Sequence, residues 1–158
     1  MPIFSIEKFV EQIDKRKRLM ALDLGSKTIG LATGDIETGI SSALHVIKRK
    51  KFTNDVSELR KWLIDYDIGS LVIGMPKNMD GTEGKRCQST KDFTMELDKF
   101  LEEKYPICYC DERLSTFEAE TFLINEVDMS RGKREEVIDK MAAQNIMATA
   151  LNYFAQNA

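Results

Sequence analysis

The protein has 158 residues, of which 42% are hydrophobic and 31% are charged, a length that supports one well-packed core and is too short for two. Its formal net charge of −3 excludes a polybasic protein that holds nucleic acid through overall charge. The single histidine, His45, disfavours a Ser-His-Asp triad or a multi-histidine zinc site, so carboxylates must carry most of any chemistry.

Apolar spacing predicts a short helix over residues 5–17, and we assign residues 1–18 to an N-terminal helical extension. Residues 19–158 are then expected to form a single domain. The predicted strands are Leu19–Leu24, Thr28–Thr33, Ala43–Ile47, Leu71–Ile73 and Ile107–Cys110, and the predicted helices are Asp55–Tyr66, Arg86–Glu103 and Arg134–Tyr153. Hairpin-linked strands followed by alternating helices and strands predict an α/β fold with a mixed central sheet flanked by helices.

The cysteines and the N-terminus bear on the cellular compartment. Cys87, Cys108 and Cys110 are odd in number and lack Cys-x-x-Cys spacing, which favours reduced, buried thiols over disulfides or metal ligands. Residues 1–18 hold no apolar run of signal-peptide length, and nothing later predicts a membrane span. We therefore expect a cytoplasmic protein without a membrane partner.

Asp23 is the most informative residue, because it ends an apolar strand directly before the turn at Gly25. A buried, unpaired carboxylate at the open end of a sheet is costly, so a partner or a metal ion is expected there. The alternative interpretation is an aspartate that only caps the turn.

Two further carboxylate positions extend this pattern. Asp111 ends the strand that begins at Ile107, and Glu112 follows it and would face the other way by strand alternation. Glu112 could equally form a surface ion pair with Arg113. Asp139 shares a face of the last helix with small residues that would let it approach the sheet, although an acid in the first turns of a helix also favours the helix dipole.

Two strand-end carboxylates and one helix carboxylate provide the oxygen ligands that hard cations prefer. Such a site could hold one or two Mg²⁺ or Mn²⁺ ions and support in-line hydrolysis of a phosphodiester bond without a histidine. Lys27 in the glycine turn could hold a phosphate. The cations at Lys85 and Arg86 adjoin the glycine-containing segment 78–84, and those from Arg131 to Arg134 adjoin the helix of Asp139, so both groups could line a phosphate track beside the acids.

Four ordered segments of the chain carry a resemblance to a known family. They are residues 21–32 (ALDLGSKTIGLA), 72–84 (VIGMPKNMDGTEG), 111–116 (DERLST) and 133–144 (KREEVIDKMAAQ). From Leu19 onward the chain resembles the YqgF/RuvX family, described as Holliday junction resolvases and as nucleases that process the precursor of small-subunit (16S) ribosomal RNA. Thr28 departs from the pattern, since many members have arginine there, and Gly34 stands where many have serine.

The resemblance implies an RNase H-like fold and a divalent-metal-dependent nuclease acting at the 5′ end of pre-16S ribosomal RNA. The alternatives are a resolvase of four-way DNA junctions, which would favour a homodimer, and a catalytically silent RNA-binding assembly factor. The implied metal ligands are Asp23, Asp111 and Asp139, with Glu112 as a further catalytic acid beside Asp111. The candidate substrate-binding residues are Lys27, Asn78, Lys85, Arg86, Arg113, Lys133 and Arg134.

Overall fold

A computed structural model describes residues 3–76, 83–111 and 131–157, with only the backbone described for 131–136. Its strands are β1 (Ile3–Phe4), β2 (Arg18–Leu24), β3 (Thr28–Gly34), β4 (Ser41–Lys48), β5 (Ile68–Met75) and β6 (Ile107–Asp111). Its helices are α1 (Ile6–Gln12), α2 (Phe52–Asp65), α3 (Lys85–Phe100) and α4 (Arg131–Gln156).

The described strands form one mixed sheet in the order β1-β6-β5-β2-β3-β4. The hairpin-linked strands β2, β3 and β4 pair antiparallel, whereas β5 runs parallel to β2, and β6 parallel to β5. This arrangement confirms the predicted sequence of hairpins first and parallel crossovers later. It also brings the C-terminal ends of β2, β5 and β6 to the same edge of the sheet.

Helices cover both faces of the sheet, because alternate residues of its central strands are apolar on both sides. On one face, Met20 and Leu22 pack in a core with residues of α2 and α3. On the other face, Leu19 and Ala21 pack in a second core with residues of α4 and with Phe9 of α1. The second face is the one that carries α4 and hence Asp139.

The N-terminal segment and the end of α3 differ from the predicted elements. The helix expected over residues 5–17 ends at Gln12, and it follows the short strand β1, which pairs parallel with β6. Two residues carry no hydrophobic periodicity, so sequence patterning could not have found β1. The helix expected to reach Glu103 ends at Phe100, since Glu102 and Glu103 adopt left-handed φ angles of 58° and 57°.

Two properties expected from the sequence can be compared with the described part of the chain. Cys87, Cys108 and Cys110 are all free and buried, as predicted. No helix in the described ranges has the length and hydropathy needed to cross a bilayer.

Candidate active site

Asp23 lies near the C-terminal end of β2 and faces the α4 side of the sheet. It follows Leu19 and Ala21 by strand alternation, and both of those residues belong to the second core. Its partner across the β2–β3 hairpin is Gly30. The carboxylate of Asp23 is therefore presented on the sheet face that α4 covers, beside a position with no side chain.

Gly30 lets α4 approach the sheet at Asp139. A Cβ atom built on Gly30 would lie 2.5 Å from the carbonyl oxygen of Asp139 and 3.4 Å from the Cβ of Ala143. The first distance is shorter than real Cβ contacts allow, so only glycine permits this packing. As expected, a small residue on this helix face, Ala143, lets the helix approach the sheet closely. Ala143 and Ile146 are both buried against the sheet. Because Gly30 is the cross-strand partner of Asp23, this packing brings the two aspartates to one place on the sheet.

Thr28 ties the helix to the hairpin. Its hydroxyl donates a hydrogen bond of 3.1 Å to Oδ2 of Asp139. The hairpin turn is closed by a second bond, in which the backbone N–H of Gly25 donates to the carbonyl of Thr28 at 2.9 Å. The turn that follows Asp23 therefore also positions the carboxylate of Asp139.

A cleft of about 970 Å³ opens beside this pair of elements. One wall is the hairpin turn, which contributes Lys27 and Thr28. One face of α3 also lines it, with Arg86, Ser89, Thr90 and Phe93 at helical spacing. The cleft is lined by Leu24, Gly25, Ser26, Lys27, Thr28, Arg49, Lys50, Arg86, Ser89, Thr90, Phe93 and Asp139.

Some of the predicted substrate-binding residues line this cleft and others do not. Lys27 and Arg86 both line it and are exposed. Lys85 is exposed at the start of α3 but does not line the cleft. Lys133 and Arg134 lie in the first turn of α4, in the segment described by its backbone only.

Sequence reasoning did not assign a role to Arg49 and Lys50, both of which line the cleft. They follow directly after β4, which brings them next to the β2–β3 turn. The backbone N–H of Arg49 donates to the carbonyl of Lys27 at 2.9 Å, and its guanidinium donates to the carbonyl of Gly25. The available signal was the run of four cations from Lys48 to Lys51, but the run alone could not show which of them turn towards the acids.

Asp111 lies in a different environment. It pairs with Met75 in the β5–β6 register and follows Ile107 and Tyr109, which pack with the first core. It lines a second cleft of about 730 Å³, whose lining comes from α3 and β6, with Lys91 and Tyr109, and also from α4, with Thr149 and Asn152. Burial raises the pKa of the Tyr109 hydroxyl above its usual range. Strand alternation thus places Asp111 on the opposite face from Asp23.

The donor chemistry of this region fits a hard cation in part. Asp23 and Asp139 are oxygen donors on one face of the sheet, of the kind that Mg²⁺ and Mn²⁺ prefer. Asp23, Asp111 and Asp139 are all described, yet no group of three or more His, Cys, Asp or Glu in the described ranges is placed to hold a metal ion. Glu112 lies outside the described residues, as do Asn78 and Arg113.

Comparison with known proteins identifies the family. A family model described as "RuvX: Holliday junction resolvase" matches residues 17–153. The chain belongs to the RuvX family. A relative from Roseobacter denitrificans is 45% identical over 91% of this chain and 88% of its own, and carries the name "Putative pre-16S rRNA nuclease". A relative of the same name from Caulobacter vibrioides is 42% identical over 96% of both chains.

Solved structures show the same fold at low sequence identity. RuvC from T. thermophilus, in complex with a Holliday junction substrate, superimposes with a TM-score of 0.53 at 10% identity and covers 90% of this chain and 98% of its own. The yeast mitochondrial Holliday junction resolvase Ydc2 gives a TM-score of 0.53 at 14% identity, covering 96% and 85%. The predicted RNase H-like fold and the predicted family are both confirmed.

Proposed function

We propose that this RuvX protein is a nuclease that hydrolyses phosphodiester bonds in the precursor of 16S ribosomal RNA. One observation carries the proposal. Asp139 accepts a hydrogen bond from Thr28 and packs closely against Gly30, the cross-strand partner of Asp23. It also lines a cleft that contains several basic side chains. Paired carboxylates next to cations are the arrangement needed to cleave a polyanion, since the acids serve the chemistry and the cations hold the phosphates. The names of the bacterial relatives supply the substrate.

The acids are proposed to hold Mg²⁺ or Mn²⁺. Asp23 and Asp139 supply two of the ligands, and the Asp111–Glu112 pair supplies a third. The position of Asp111 on the opposite sheet face favours Glu112 for this role. A divalent ion held by these carboxylates would supply an activated water and charge stabilisation for the leaving oxygen. Thr28 would keep the Asp139 carboxylate in one orientation, which limits the reorganisation needed during the reaction.

The basic residues are proposed to bind the substrate backbone. Lys27 and Arg86 both line the cleft and would contact phosphates of the bound strand near the cleaved bond. The remaining proposed contacts are Asn78, Lys85, Arg113, Lys133 and Arg134. Because phosphate contacts carry no sequence information, selection of the cleavage position would rest on the shape of the folded RNA.

A four-way DNA junction is the second candidate substrate, favoured by the description of the family model that matches residues 17–153. Cleaving a symmetric junction requires two equivalent sites, so this function would need a homodimer. The two candidates therefore differ in oligomeric state as well as in substrate.

Purified protein incubated with a pre-16S RNA fragment and, separately, with a four-way DNA junction tests the proposal. We expect cleavage of the RNA in Mn²⁺ and none in EDTA. If the protein cuts the junction in preference to the RNA and sediments as a dimer, the substrate is the DNA junction and not the RNA. Salt-sensitive RNA binding without cleavage at any divalent ion concentration would indicate an assembly factor instead.

A further inference from the structure

The charge of the cleft differs from that of the whole chain. The formal net charge of the protein is −3. Among the described residues that line the cleft, four are cations and one is a carboxylate, namely Lys27, Arg49, Lys50, Arg86 and Asp139. This local excess of positive charge is what a phosphate backbone would contact.

Arg49 differs from the other three cations because its side chain is fixed by the protein. Its guanidinium donates to the carbonyl of Gly25 and lies over the ring of Phe93, with Cζ 5.2 Å from the ring centroid. It is partly buried, whereas Lys27, Lys50 and Arg86 are exposed. A side chain held on two sides loses little further rotamer freedom when it binds a ligand.

The guanidinium retains donors for such a ligand. It carries five N–H donors, and within the described part of the chain the hydrogen bond to Gly25 accounts for one of them. The planar fork of arginine matches two oxygens of a phosphate group, which lysine cannot do. Arg49 also lines the cleft, so a phosphate placed there can reach it.

We propose that Arg49 is a phosphate-binding residue that receives one phosphate of the nucleic acid strand beside Asp23 and Asp139. The hydrogen bond to Gly25 and the contact with Phe93 set the position of the guanidinium before the strand binds. The ligand class, a phosphodiester backbone, rests on the proposed function. The residue and its preorganisation rest on the contacts of Arg49 itself.

Arg49→Met tests this role, with Lys48→Met as a control that removes the same charge one residue away. Lys48 is exposed and does not line the cleft. Binding of a fluorescein-labelled single-stranded RNA is measured by fluorescence anisotropy in EDTA over a series of salt concentrations. We expect Arg49→Met to weaken binding roughly tenfold and to make the salt slope shallower by about 0.7, the value for one phosphate on a single strand. Lys48→Met should stay within about twofold of the unsubstituted protein.

Arg49→Lys separates charge from geometry. It keeps the salt slope, because the positive charge remains, but it binds several-fold more weakly than the unsubstituted protein, because the fork is lost. Because Arg49→Lys keeps the charge and is expected to keep the fold, it still tests the role of the guanidinium if Arg49→Met unfolds at a lower temperature. DNA of the same sequence should show the same fold-change as RNA, because the phosphate is common to both.

Equal losses for Arg49→Met and Lys48→Met would overturn the assignment, because a general charge effect would then explain both. A loss confined to RNA or to DNA would also overturn it, since the contact would then be to a sugar or a base. Absence of binding by the unsubstituted protein would overturn both this inference and the proposed function. Binding that follows the expected pattern without cleavage in Mn²⁺ would support the phosphate site and overturn the nuclease proposal alone.

Discussion

The Thr28 hydroxyl donates a hydrogen bond of 3.1 Å to Oδ2 of Asp139, across 111 positions of sequence. Thr28 opens strand β3, and Asp139 lies in helix α4, so this bond links the two elements that the candidate site needs. Thr28 therefore contacts the carboxylate of Asp139 directly.

Thr28→Val removes this hydroxyl and keeps the branched shape of the side chain. We expect kcat to fall roughly tenfold with KM little changed, because the Asp139 carboxylate loses one of its orienting contacts, and stability to fall by about 1 kcal/mol. Nuclease kinetics and urea unfolding measure the two effects. Thr28→Ser keeps the donor and should retain most of the activity. Equal kinetics for the valine and serine variants would show that the hydrogen bond does not contribute to catalysis.

Gly30→Ala places a Cβ atom against the carbonyl of Asp139, which is helix backbone and cannot rotate away. We expect a loss of about 1–3 kcal/mol in unfolding free energy and nearly complete loss of cleavage, because α4 must shift at Asp139. Gly34→Ala is the matched control on the same strand, where the added atom meets the flexible side chain of Met147. Its activity, measured well below its melting temperature, should remain close to that of the unsubstituted protein.

The third carboxylate can be located by comparing two variants. Since Asp111 shares a sheet face with Tyr109 and lines the second cleft, we expect Asp111→Asn to retain substantial Mn²⁺-dependent cleavage. Glu112→Gln should abolish it. The midpoint of activation by Mn²⁺ is the more sensitive readout, because loss of a ligand raises it. The opposite pattern would assign the role to Asp111.

The three cysteines should be unreactive in the folded protein. Cys87, Cys108 and Cys110 are at most 2% exposed, and burial raises the pKa of the Cys108 thiol well above its usual range. A raised pKa leaves the thiol protonated at neutral pH, and the thiolate is the nucleophile. Labelling with a chromogenic disulfide should therefore be negligible in native buffer and give three thiols in guanidinium. Fast labelling of native protein at neutral pH would contradict this packing.

Local sequence patterns predict two residues of the candidate site, and the contacts between them depend on the fold. Asp23 and Asp139 were predictable because each sits in a local pattern, an apolar strand before a glycine and a helix face of small residues. The pairing of Asp23 with Gly30 and the contact of Gly30 with Asp139 depend on register and on helix packing, which no local pattern contains. The position of Arg49 in the cleft could not be predicted for the same reason. A run of four cations does not show which of them points towards the hairpin turn, and only the position of the end of β4 decides this.

Cleavage of pre-16S RNA by the unsubstituted protein and by Asp139→Asn, in Mn²⁺ and in EDTA, tests the central claim most directly. Asp92→Asn is the control, because Asp92 is an exposed acid on α3 that does not line the cleft. We predict Mn²⁺-dependent cleavage by the unsubstituted protein and by Asp92→Asn, and none by Asp139→Asn, although its circular dichroism spectrum and melting curve remain those of a folded protein. Undiminished cleavage by a folded Asp139→Asn variant would contradict the account.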